Sequence, residues 1–328
     1  MSNMKKKRAR LIRGVAGLAI SGLLIGWMIA RADMSALGAA LGGTHRGWLV
    51  LAFAVFGVGI AVAAARWGLP LASSGLRESG GSVLRVACVG HCFNMLLLGP
   101  VGGDLVKAAL HARWRRCSGA KTLAACAIDR LLAGGGSLLY GVLAILLIVF
   151  CGGLERLSSL PLSGPSWRGP LAAVLILAGV AWGGRRRLRN NEFLRQSWHS
   201  FRDVISKFGG SLGVPAAGVA LSLLNQLLWT SVLAICLYAV AGDEVNWLET
   251  LWVFPIVSTL AAMPVSVAGA GVREGVAVLL LKTCDVPTAD ALAAALLTSS
   301  VYLAWAVIGA LIGWREEAVF RSRIGSAG

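Results

Sequence analysis

Two short stretches set ionisable residues among helix breakers inside apolar sequence: GPVGGDLVKAAL at 99–110 and MPVSVAGAGVREGVAVLLL at 263–281. In the first, Pro100 and the Gly102-Gly103 pair are expected to end one helix, Asp104 to stand as the N-cap of the next, and Lys107 to follow one turn along. A helix N-terminus offers its free N–H groups and positive dipole end to an anion, and Lys107 would add a full charge. The same residues also read as a plain turn, with Asp104 satisfying backbone N–H groups and Lys107 snorkelling to the cytoplasm. In the second stretch Pro264 ends a helix, Gly269 and Gly271 loosen the chain, and Arg273-Glu274 opens another helix. Glu274 suits a first turn, whereas Arg273 opposes the dipole there and calls for an anionic partner. Between the two stretches, AIDRLLAGGG puts Asp129 and Arg130 into a long apolar run, where ionisable groups must face protein or a polar cavity. Two readings stay open for that pair, a structural ion pair with Lys107 and a phosphate clamp at Arg130.

Smaller signals accompany these. Cys88, His91 and Asn94 share one helical face, with Asn94 nearest the first break, and Asn225-Gln226 lies mid-helix, where hydrogen bonds to a neighbouring helix would explain it. The seven cysteines show no CxxC spacing and read as small buried hydrophobes. No HExxH, GxSxG or Walker sequence occurs in a suitable context, so no catalytic residue, metal site or cofactor is expected.

The elements that must position these groups are membrane helices. The chain is 57% hydrophobic and only 14% charged, with apolar windows near 11–30, 48–65, 83–98, 122–149, 171–182, 214–241, 251–268 and 291–314. A basic start followed by an apolar run resembles a secretory signal, but the run is long enough to span and is expected to remain as a first helix, within residues 1–32. The formal charge of +16 reflects orientation rather than nucleic-acid binding, because short basic loops stay in the cytoplasm. Arg66, Arg77 and Arg85 form one cytoplasmic group and Lys107, Arg113, Arg115, Arg116 and Lys121 the next, with a single window between them. Residues 83–114 therefore read as a hairpin that enters and leaves on the same face. By the same bookkeeping 251–282 is a second hairpin entering from the opposite side, and 183–213 is a basic amphipathic segment on the cytoplasmic surface.

The expected fold is an all-α membrane protein, one domain over 1–328, with about six crossings and two opposed re-entrant hairpins. Residues 48–150 and 214–314 form inverted repeats, an arrangement found in transporters with binding sites at their helix breaks. Eight full crossings is the rival topology.

FNMLLLGPVGGDLVKAALHAR, AACAIDRLL, MPVSVAGAGVREGVAVLLL and VYLAWAVIGAL, in that order, resemble the transmembrane flippase domain of the lysylphosphatidylglycerol synthase/flippase family. The resemblance implies an integral inner-membrane protein that moves a polar-headed lipid between leaflets; some relatives accompany hopanoid or polyisoprenoid-linked pathways. It carries the family's motif positions onto Asn94, Pro100, Gly102, Gly103, Asp104, Lys107, Asp129, Arg130, Pro264, Gly269, Gly271, Arg273 and Glu274. Bifunctional members add a large soluble aminoacyltransferase domain, whereas this sequence ends soon after WREEAVFRSR, so aminoacyl transfer is not implied. The expected activity is flipping of an anionic or phosphate-containing lipid in the cytoplasmic membrane, with both termini inside. The expected partners are the lipid substrate, anionic lipids at the cytoplasmic face and lipid-biosynthesis enzymes, with no nucleic acid. An intramembrane enzyme or assembly subunit acting on a lipid intermediate, and a transporter of a small anion, are the alternatives.

Overall fold

The computed structural model describes residues 26, 33–96, 100–150, 192–242, 250–262 and 269–325. Among these, ten helices and no strand occur: α1 (Met34–Gly42), α2 (Arg46–Ser73), α3 (Gly80–Leu96), α4 (Pro100–Arg115), α5 (Gly119–Phe150), α6 (Glu192–Phe208), α7 (Gly213–Ala241), α8 (Val253–Ala261), α9 (Val272–Lys282) and α10 (Thr288–Gly325). Four are long and apolar enough to cross a bilayer, over Arg46–Ser73, Gly119–Leu147, Gly213–Ala241 and Thr288–Arg323. At about 1.5 Å per residue each exceeds the roughly 30 Å hydrocarbon core. The windows at 11–30, residue 26 apart, and 171–182 lie outside the described residues. The stretches expected as hairpins are each divided into two short helices, α3 with α4 and α8 with α9.

Local chemistry sets these boundaries. Pro100 opens α4, where its missing N–H is no loss. At the other end Cys117 N–H reaches the Ala112 carbonyl (3.0 Å) and Arg116 takes a left-handed conformation, φ +50°, so a Schellman turn stops the helix. The end of α9 repeats this device: Val286 N–H bonds the Leu281 carbonyl (3.2 Å) across Asp285 at φ +58°. Ser118 then receives the Lys121 N–H at the start of α5.

The chain folds as two compact units. The first comprises the described residues within Met1–Gly59, Cys88–Val106 and Gln226–Trp314. Its helices approach closely at small residues. A Cβ at Gly57 would collide with the Trp305 ring, and one at Gly309 with the Cys88 carbonyl. Trp305 donates its indole N–H to the Phe53 carbonyl at 2.9 Å, and Leu37, Leu292 and Ala293 form a core around which Val240 and Val278 pack.

The second unit comprises the described residues within Ile60–Ala87, Lys107–Asn225 and Arg315–Gly328. Trp67, Leu71, Val83, Val86, Ala108, Ala125 and Cys126 form its main core. The amphipathic α6 turns Val204 and Phe208 onto Ala124 and Ile128 of α5. Further along α5, Leu131, Leu138, Val142 and Leu146 point outward, an apolar stripe suited to lipid.

Candidate functional site

The second unit buries an ionic group on three helices. Asp129 of α5 takes the Arg66 Nε–H of α2 at 2.8 Å through one oxygen, and its other oxygen lies 3.7 Å from Lys107 Nζ of α4. All three side chains are more than nine-tenths buried. Lys107 also stands 4.4 Å over the Trp67 ring, whose edge meets His111 with centroids 5.4 Å apart. The chain of polar groups continues from His111 to Thr122 (3.4 Å) and Glu78 (3.7 Å), and Glu78 holds Arg115 (3.4 Å) and Ser82 (3.0 Å). Carboxylate and cations stripped of water hold one another, because isolation of any of them at this depth would cost several kcal/mol.

Of the two readings left open for Asp129, the ion pair with Lys107 is present. Its stronger partner, Arg66, belongs to none of the sequence motifs. The charge pattern assigns Arg66 to a cytoplasmic loop, whereas it lies within α2, which runs on to Ser73 through Gly68 and Pro70. Those two residues make the apolar window look finished at 65; the signal to the contrary is that no turn sequence follows until Ser73-Ser74-Gly75. Arg130, one residue on and rotated about 100° around the helix, is only half-buried.

The first break also differs from expectation. Because α4 starts at Pro100, Gly102 and Gly103 are helical and Asp104 is a buried residue of the second turn, not an N-cap. Gly103 serves packing instead. A Cβ there would overlap the Asn94 side chain and backbone, so the glycine lets α3 and α4 touch. Asn94 is thus at the contact of the two arms.

In the first unit, Gly271 at φ +83° precedes α9, and Glu274 reaches back to its N–H at 2.6 Å, the third-position half of a capping box. The other Glu274 oxygen accepts the Ser299 hydroxyl of α10. Glu274 is therefore fully engaged in capping and docking its own helix. Gly269, at φ +75°, sits where a Cβ would lie 2.7 Å from the Ala261 carbonyl oxygen, closing α8 against α9. Pro264 lies outside the described residues.

Arg273 places its guanidinium 4.7 Å from the centroid of the Tyr302 ring, a cation–π contact between α9 and α10. His91 donates to the Tyr302 carbonyl at 3.0 Å, an interhelical bond of the kind expected for a lone membrane histidine. Phe56 packs between Tyr302 (4.5 Å) and Trp229 (6.0 Å). The interhelical bond expected for Gln226 does not account for it. Among the described residues its amide nitrogen meets no acceptor, although the side chain is buried.

Residues 14–310 match the family model described as the lysylphosphatidylglycerol synthase TM region. No curated protein matches the chain.

Proposed function

Because the chain belongs to the lysylphosphatidylglycerol synthase TM region family, we propose that it moves a polar-headed lipid, anionic or phosphate-bearing, between the leaflets of the cytoplasmic membrane. The observation that carries this reading is the buried Arg66–Asp129–Lys107 group on helices of which two are candidate spans. A purely structural protein has little reason to keep such charges among membrane helices, since apolar packing at the same positions holds at least as well. A phosphate can replace Asp129 as the counter-ion of Arg66 and Lys107, so those cations are bound when the site is empty and available when a head group arrives. Arg273 on its aromatic face is the corresponding cation of the other unit.

In this reading α3–α4 and α8–α9 are re-entrant hairpins entering from opposite faces, and the residues around them are inverted repeats. The common Schellman stop after α4 and after α9, each followed within a few residues by a long apolar helix, supports that correspondence. Acyl tails stay in lipid along stripes such as that of α5 while the head group passes through protein.

The test is leaflet exchange in proteoliposomes carrying fluorescent phosphatidylglycerol, followed by bleaching of the outer leaflet. Wild-type protein should make the inner pool accessible, and Lys107→Ala and Arg273→Ala should each slow this by at least about tenfold, as expected for loss of a charge-assisted contact. A chemically altered lipid would identify an enzyme instead. Absence of both exchange and conversion would leave the assembly role.

A further inference from the structure

In the first unit, four hydrogen-bond donors meet no acceptor among the described residues: the Gln226 amide nitrogen, the Trp229 indole nitrogen, the Thr230 hydroxyl and the Tyr302 hydroxyl. The Gln226, Thr230 and Tyr302 side chains are 6%, 1% and 6% exposed. Gln226, Trp229 and Thr230 follow the i, i+3, i+4 spacing of one face of α7. Tyr302 of α10 joins that face through Phe56, which stacks on both its ring and that of Trp229. Buried donors are nearly always satisfied, and leaving one unmet costs about 1–3 kcal/mol, so three on one face of α7, with Tyr302 joined to that face through Phe56 and Trp229, call for an acceptor. The chemistry is one-sided: an amide N–H, an indole N–H and two hydroxyls can all donate at once, and Arg273 brings a cation to the same tyrosine.

We propose that the α7 face of Gln226, Trp229 and Thr230, with Tyr302 and Arg273, is a binding site for the oxygens of a phosphate group. This rests on the flippase reading, which it deepens by assigning head-group contacts to residues outside the sequence motifs. A phosphate offers several acceptor oxygens, matching the several donors, and the Arg273 guanidinium beside Tyr302 favours its charge. The shared chemistry could come from a phospholipid head group or from free phosphate, and the two are separated below.

The experiment uses full-length protein in detergent, with thermal unfolding and native mass spectrometry as readouts. The probes are phosphatidylglycerol, diacylglycerol of the same chain length, and inorganic phosphate. The variants are Thr230→Val, Tyr302→Phe and Gln226→Leu, singly and combined; each removes a buried donor with little change of volume. Without ligand these variants should fold and melt at or above the wild-type temperature, because a desolvated, unmatched donor is lost. With phosphatidylglycerol the wild type should be stabilised and retain lipid, and the triple variant should bind at least about tenfold more weakly. Diacylglycerol should stabilise neither. Stabilisation of the wild type by inorganic phosphate, lost in the triple variant, also supports the site and marks the phosphate as sufficient without tails.

Unchanged phosphatidylglycerol binding in the triple variant overturns the proposal, as does equal stabilisation by diacylglycerol. Unliganded melting that falls in all three single variants overturns it too, since the donors are then matched within the protein. Leaflet exchange separates this from the broader reading. Exchange that survives the triple variant with binding intact removes the site but leaves the transporter, whereas loss of binding in a protein that exchanges no lipid keeps the site and removes the transporter.

Discussion

Asp129 is the residue whose environment makes the sharpest demand. With Arg66 at 2.8 Å and Lys107 at 3.7 Å, it is the counter-ion that permits two cations to lie within the helix packing. Removing one partner strands the other, at about 3–5 kcal/mol, whereas removing both and filling the space costs far less. Asp129→Leu and Arg66→Met are therefore each expected to lower the melting temperature strongly in detergent, and the double variant to recover most of the loss. A double-mutant cycle showing additive effects would mean that the pair is not coupled. Lys107 would remain in the double variant over the face of Trp67, which supplies a second, weaker attraction.

The short helices depend on close approach and on their ends. A Cβ at Gly103 meets Asn94 side chain and backbone, and one at Gly269 meets the Ala261 backbone from a left-handed conformation. Neither neighbour can step aside, so Gly103→Ala and Gly269→Ala should destabilise by about 1–3 kcal/mol, read as earlier unfolding in detergent titration. Gly135, inside α5 with open space where a Cβ would stand, is a site where Ala should be harmless or mildly stabilising by its helix preference. The first helix makes a pH-dependent prediction. Asp33 caps α1 through Ser35 and Ala36, and its hydrogen bond from the Ser35 hydroxyl, then those from the two backbone N–H groups, hold its carboxyl below the usual carboxylate range. A depressed native value means that the cap is intact at neutral pH and is lost as pH falls through that value. Amide exchange at Ser35 and Ala36 should accelerate in acid, after correction for intrinsic rates, and Asp33→Ala should remove the pH dependence.

For the molecule as a whole, orientation is the first thing to measure. In a cysteine-free background, single cysteines beside Arg116 and Lys282 should label from the cytoplasmic and external sides respectively. Labelling of both from one side would refute the opposed hairpins. The existence of the helices is legible in the chain because hydropathy windows and Pro/Gly breaks are local properties: 48–65, 122–149, 214–241 and 291–314 all lie in long helices, and 83–114 and 251–282 each divide in two. Asp129, Lys107, Arg273 and Glu274 stand out for a similar reason, since an ionisable residue in apolar sequence needs a partner wherever the fold provides one. Which partner it receives is a property of neighbouring helices. Arg66 reads as a loop cation until α2 is seen to continue past it, and Asp104 as an N-cap until α4 is seen to begin at Pro100. The donors of Gln226, Trp229, Thr230 and Tyr302 are ordinary in sequence, and only the tertiary structure, in which Trp229 and Tyr302 both stack on Phe56, buries them with no acceptor among the described residues. Hydrophobic pattern is encoded one segment at a time, but the pairing of buried polar groups depends on contacts between segments far apart in the chain.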